Sequence, residues 1–237
     1  MPLTDRWWNG FAFYPATGFL AYSDHRLGES LIATPLQWLG CGPVAAYNLT
    51  LLALFPLCAV AAHWLAFTLT KRHDASALCG LPYGFSPYRI AHIEHLELLA
   101  AFGMPAALAA LHHYVSARHS KWLLLFALAL VVQGLCTSYY LLFFSIFLAL
   151  WIAWFLRPRD LRALAAIGIA GGAAAVALLP IAIGYLRIHR RFGFFRGLGE
   201  IVTLSGDVTS LVTTSPLSLL WGGWRDRTRP KASCFLD

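Results

Sequence analysis

The residues best equipped for chemistry cluster in two short stretches. The first is Tyr22-Ser23-Asp24-His25-Arg26-Leu27-Gly28-Glu29, where two acids, an imidazole and a guanidinium sit side by side. A carboxylate there suits a general base, and His25 or Arg26 suits an anionic group, because the guanidinium fork matches phosphate and carboxylate oxygens. The same letters also read as a polar turn and N-cap ahead of a helix over 27–39. The second stretch is His92-Ile93-Glu94-His95-Leu96-Glu97. On a helix His92 and His95 are three apart and nearly face each other. Two imidazoles with Glu94 or Glu97 beside them suit a divalent metal. The spacing matches neither H-E-x-x-H nor H-x-x-E-H, so a hydrogen-bonded polar face is the competing reading.

Two further groups stand outside these stretches. Arg187, Arg190, Arg191 and Arg196 follow the last apolar run, with Glu200 and Asp207 after them. They fit either a lipid-linked phosphate or the anionic headgroups of the bilayer. His112, His113 and His119 lack the H-x-x-H-H spacing of a histidine box, and His63 stands alone in an apolar run. A neutral imidazole bonded to a neighbouring helix accounts for His63.

The elements that must position these residues are membrane spans. The chain is 59% hydrophobic and only 12% charged, against about 25% charged in a soluble domain. Its mean hydropathy is +0.63. A spanning helix needs about 20 apolar residues. Residues 43–70 and 163–186 meet that need without a charge, and 98–115 comes close. In 163–186, Gly168 and Gly172 have the G-x-x-x-G spacing that permits close helix packing. The uncharged run 122–156 would reach roughly 50 Å as one helix, too long for a core of about 30 Å. Gln133, Gly134, Thr137 and Ser138 break it into two crossings. Residues 75–87 form a short crossing punctuated by Gly80, Pro82 and Gly84.

Counting six crossings puts Lys71/Arg72, Arg118/Lys121 and Arg157/Arg159/Arg162 all on the cytoplasmic side, as the positive-inside rule asks. The acids then lie mostly outside, so chemistry is expected at the extracytoplasmic face. The expected fold is an all-α polytopic transmembrane bundle of about six spans. Interfacial amphipathic helices over 27–39 and 88–99 are expected outside it. Residues 1–42 form an outer loop, 43–186 the bundle and 187–237 an outer tail. The net charge of +7 belongs to loops between apolar runs, which argues for membrane lipids as partners and against nucleic acid. The five cysteines form no C-x-x-C pair and read as buried apolar residues. No basic n-region followed by an apolar h-region opens the chain.

Several of these stretches together resemble bacterial GT-C-type membrane glycosyltransferases. The resemblance rests on Phe13-Tyr14-Pro15, Ala21 to Gly28 and Asn48, then on Gly84-Phe85-Ser86-Pro87-Tyr88-Arg89 with His92 and His95. Ser138-Tyr139-Tyr140 and residues 200–216 ahead of Trp221 add to it. It implies a polyprenyl-phosphate sugar as donor, used at the outer face of the plasma (inner) membrane. It also implies an outer-loop acid as base, and basic groups, in some members with a divalent metal, on the phosphate leaving group. By position Asp24 is the matching acid, and Arg89 with the tail arginines matches the phosphate-binding groups. His25, Arg26, His92, Glu94 and His95 are expected to line the same substrate site. The family has a helix ahead of the first outer loop and further helices after the last one here, so a fragment is expected. A transporter or lipid flippase and a non-catalytic membrane protein are the alternatives. The first would need a polar path, to which the spans contribute only Asn48, His63 and Gln133.

Overall fold

The computed structural model describes residues 5–9, 15, 17–22, 24–193 and 197–199. Among them every regular element is helical. The order is α1 (Asp5–Trp8), a 3-10 turn (Phe19–Ala21), α2 (Leu27–Trp38), α3 (Pro43–Thr70), α4 (His73–Gly84), α5 (Pro87–Ala91), α6 (Leu96–Leu99), α7 (Gly103–Ala117), α8 (Ser120–Cys136), α9 (Ser138–Phe155) and α10 (Leu161–Phe192). The chain divides into two compact units, residues 1–188 and 189–237.

Four stretches are long and apolar enough to cross a bilayer: Pro43–Thr70, Leu96–Ala117, Ser138–Phe155 and Leu161–Phe192. Ser120–Cys136 is a shorter apolar helix. The side chains explain what solvent these helices need. On α9 only Phe144 is buried, while Leu142, Phe143, Ile146, Phe147, Leu150 and Trp154 are exposed. An apolar face of that length is far larger than water tolerates on a monomer. The chain is an integral membrane protein.

The core of the first unit is built where α7, α8 and α10 bring Leu108, Leu111, Phe126, Leu130, Ala163 and Ile167 together. Pro43 opens α3 at its first position, where a missing N–H costs nothing. Lys71 closes it in the left-handed region at φ 56°, and the chain folds straight back as α4.

The α3–α4 hairpin is close because α4 turns glycines toward α3. A Cβ at Gly80 would lie 2.6 Å from the Ala59 carbonyl oxygen, and one at Gly84 would lie 2.6 Å from the Ala59 Cβ and 2.8 Å from the Phe55 oxygen. These two are four apart, so the close-packing pair is Gly80/Gly84. Gly168 and Gly172, the pair the sequence suggested, meet nothing within 4 Å among the described residues. Spacing permits a close approach, but only a facing helix makes one.

Other expectations are sharpened. The uncharged run 122–156 does break, at Thr137, which is extended with φ −152° and ψ 123° between α8 and α9. Helix α4 has 12 residues and reaches about 18 Å, short of the hydrocarbon core. The amphipathic helix expected over 88–99 is instead two pieces, α5 and α6. His92 to His95 form a turn between them, closed by the bond from the His95 N–H to the His92 carbonyl. Between α6 and α7 the chain is non-helical at Ala100 and Ala101.

Candidate functional site

The site begins with a local strain. Arg26 occupies the left-handed region at φ 48° and ψ 31°, just ahead of α2. A side-chain-bearing residue there costs about 1–2 kcal/mol. Its guanidinium meets Glu97, at the start of α6, with Nη2 2.8 Å from Oε2. His95 Nδ1 stands 3.0 Å from the other Glu97 oxygen. One carboxylate is thus bracketed by an arginine and a histidine from two different segments.

Asp24 joins this pair. Burial raises its pKa most, and the Glu97 charge raises it further. The Arg26 charge and the nearby Thr137 hydroxyl oppose that shift. The result is a half-buried acid with a raised proton affinity, the property a general base needs near neutral pH. Thr137 reaches this place because the α8–α9 break turns it inward, where it is fully buried.

Gly28 holds the two sides together. A Cβ there would lie 2.2 Å from the Cys136 Sγ and 2.7 Å from the Cys136 backbone nitrogen, so the start of α2 presses on the end of α8. Behind Asp24, His25 is buried, with Nδ1 3.1 Å from the Tyr185 hydroxyl of α10. Burial pushes the His25 pKa down, against the carbonyls of Gly134 and Leu135. Tyr185 is also within electrostatic range of Asp24. The same tyrosine lines an apolar groove of about 670 Å³ between α8, α9 and α10, together with Leu130, Leu141, Phe144, Leu178 and Ile181.

A second polar construction lies beside the first. The break between α6 and α7 leaves four successive carbonyls without helical partners, and each is met by a side chain. The Tyr140 hydroxyl donates to Leu98 at 2.9 Å, Gln133 Nε2 to Ala100 at 2.8 Å, and the Tyr83 hydroxyl to Ala101 at 2.9 Å. Leu99 receives Arg89 Nη2 and, at 3.4 Å, the Cys58 thiol. Irregular backbone survives inside a membrane protein only when the protein itself supplies such partners. Arg89 also packs over the Phe55 ring at 5.6 Å.

Of the residues singled out in the sequence, Asp24, Arg26 and His95 come together through Glu97. His25 stands behind them on Tyr185. Arg89 is buried and committed to the Leu99 carbonyl. His92 Nδ1 donates to the Tyr88 carbonyl at 2.8 Å, and its ring is 6.3 Å from that of His95. Glu94 is exposed, and so is Arg187 near the end of α10. Arg190 and Arg191 belong to the second unit, where Arg191 lies 5.3 Å over the Phe192 ring. Arg196, Glu200 and Asp207 lie outside the described residues. Far along the chain, His63 meets His73 at 3.3 Å and His113 meets the Thr68 hydroxyl at 3.1 Å.

Thr137 and Tyr185 are the members that sequence reasoning left out of the site, and Glu97 entered it only as a carboxylate beside the two imidazoles. The signal for Glu97 was its place at the start of an apolar helix, where an acid is costly. Among the described residues, no three of His, Cys, Asp or Glu stand close enough together to hold a metal ion. No protein-family profile, curated protein or solved structure matches the sequence.

Proposed function

We propose that this protein is a membrane glycosyltransferase of GT-C-like type that uses a polyprenyl-phosphate sugar at the outer face of the plasma (inner) membrane. The observation that carries the reading is Asp24. It is a half-buried acid of raised proton affinity, beside the Arg26–Glu97 pair and close to Tyr185, which lines an apolar groove. Counting six passes, with α4 as a short one, would put the basic turns 71–72, 118–121 and 157–162 inside and this site outside, which supports the outer-face reading.

In the proposed step Asp24 takes the proton of an acceptor hydroxyl as its oxygen bonds to the anomeric carbon of the donor sugar. The bond from that carbon to the phosphate oxygen breaks, and polyprenyl phosphate leaves with the electron pair. Arg26, whose charge acts on Asp24, is the guanidinium placed to receive the phosphate charge, and the groove suits the isoprenoid chain. The broken α6–α7 helix is the feature that favours a transporter, since unwound carbonyls bind ions in such proteins. Here those carbonyls are occupied by Tyr140, Arg89, Gln133 and Tyr83, which weakens that alternative.

A photoreactive polyprenyl phosphate tests the donor site. Labelling is expected to concentrate on the groove-lining faces of α8, α9 and α10, and Arg26→Gln is expected to lower it about tenfold, the loss of one charged hydrogen bond. Labelling spread evenly over the lipid-facing helices, unchanged by Arg26→Gln, would retire the donor assignment.

A further inference from the structure

Glu29 lies in the first turn of α2, and the transfer step gives it nothing to do. It is 2% exposed, and neither carboxyl oxygen has a hydrogen-bond partner from another of the described residues. A carboxylate in that position would be a buried charge without a donor, the arrangement proteins avoid most strongly.

Among the described residues, the groups facing Glu29 offer it no cation of its own. From its own segment come Asp24 and Arg26, and from α6 comes Glu97. The end of α8 presents Cys136. Helix α3, also packed on α2, carries only Tyr47, Cys58 and His63 as ionisable groups, and none of these is among the groups that shift Glu29. The guanidinium of Arg26 is already paired with Glu97 and opposes the charge of Asp24. Three acids against one arginine leave a negative surplus, and no described set of ligands gathers a metal. The smallest cation that meets the orphaned oxygens is a proton.

We propose that Glu29 is a proton-binding site, carried as the neutral acid at neutral pH, whose ionisation draws Arg26 away from Glu97. Arg26 stands just ahead of α2 and Glu29 in its first turn, and the Arg26 charge acts on Glu29. The Arg26 side chain is 41% exposed and has room to turn. The exchange leaves Glu97 with His95 alone and takes the guanidinium from Asp24. Burial sends the Glu29 pKa up to about 8, so the exchange belongs to the alkaline edge of the physiological range. The inference rests on the burial and partners of Glu29 and holds whether or not the protein transfers sugar.

Infrared spectroscopy of the full chain in nanodiscs tests it. The carbonyl stretch of a protonated carboxylic acid is expected at pH 7 and is expected to titrate away with a midpoint near 8. Glu29→Gln, which mimics the neutral acid, should lack the band, and Asp24→Asn should keep it. Arg26→Gln should move the midpoint upward, since the guanidinium favours the ionised form. Stability follows the same proton. The folded pKa is raised above the ordinary 4.5, so the folded state binds the extra proton, and stability falls as pH climbs from that value toward about 8. The melting temperature of Glu29→Gln should lack that decline. No protonated-acid band at pH 7, a band that survives Glu29→Gln, or a midpoint indifferent to Arg26→Gln would each overturn the proposal.

Discussion

Asp24→Asn is expected to reduce sugar transfer by about 10²–10⁴-fold, the usual contribution of a general base, with membrane insertion and protein level unchanged. Asparagine keeps the size of the side chain and an oxygen near Thr137. It loses the negative charge, and with it the ability to accept a proton. Because Asp24 is half-buried rather than central to the core, the fold has little to lose. The pH dependence sharpens the test. Burial and Glu97 raise the Asp24 pKa, so transfer by the native protein should fall on the acid side at a pH above the ordinary range for aspartate. The Asp24→Asn variant should have no such limb in whatever activity remains. Transfer by that variant within tenfold of the native rate would remove Asp24 as the base.

Arg89→Leu is expected to destabilise the folded protein by about 3 kcal/mol. Arg89 is 4% exposed, and its guanidinium donates to the Leu99 carbonyl inside the α6–α7 break. A buried acceptor stripped of its charged donor costs about 1–3 kcal/mol, and the lost stacking over Phe55 adds about 2 more when desolvated. Relief of the buried charge offsets part of that sum. Thermal unfolding of the full chain in detergent measures it, and the expected result is a clearly lowered midpoint. A substrate-binding arginine would behave otherwise, with a native melting curve and weakened donor binding only. That outcome would return Arg89 to the substrate site and leave the Leu99 carbonyl to the Ala101 N–H and the Cys58 thiol.

The membrane character was legible because it depends on composition and run length, which no tertiary contact can undo. The break at Thr137 was legible for a similar reason: Gln133, Gly134 and Ser138 interrupt an otherwise uncharged run, and a single helix would overreach the bilayer. What the sequence hid depends on partners. Gly80 and Gly84 pack against Ala59 because α4 folds directly back on α3, whereas Gly168 and Gly172 have the same spacing and meet no helix among the described residues. Arg89 looked like a phosphate ligand because its role is set by a helix break ten residues further on, and by Tyr83, Gln133 and Tyr140 from three other helices. Glu97 looked like one charge on an amphipathic face. Only the turn at His92–His95 points it toward Arg26.

Turnover of the donor bears most directly on the proposed transfer. Purified full chain in liposomes would be given a set of polyprenyl-phosphate donors, each with a different radiolabelled sugar and a hydroxyl acceptor, and released polyprenyl phosphate would be measured. The account predicts release from at least one donor, with the label appearing on the acceptor. No release from any donor, by protein whose melting curve reports an intact fold, would contradict it.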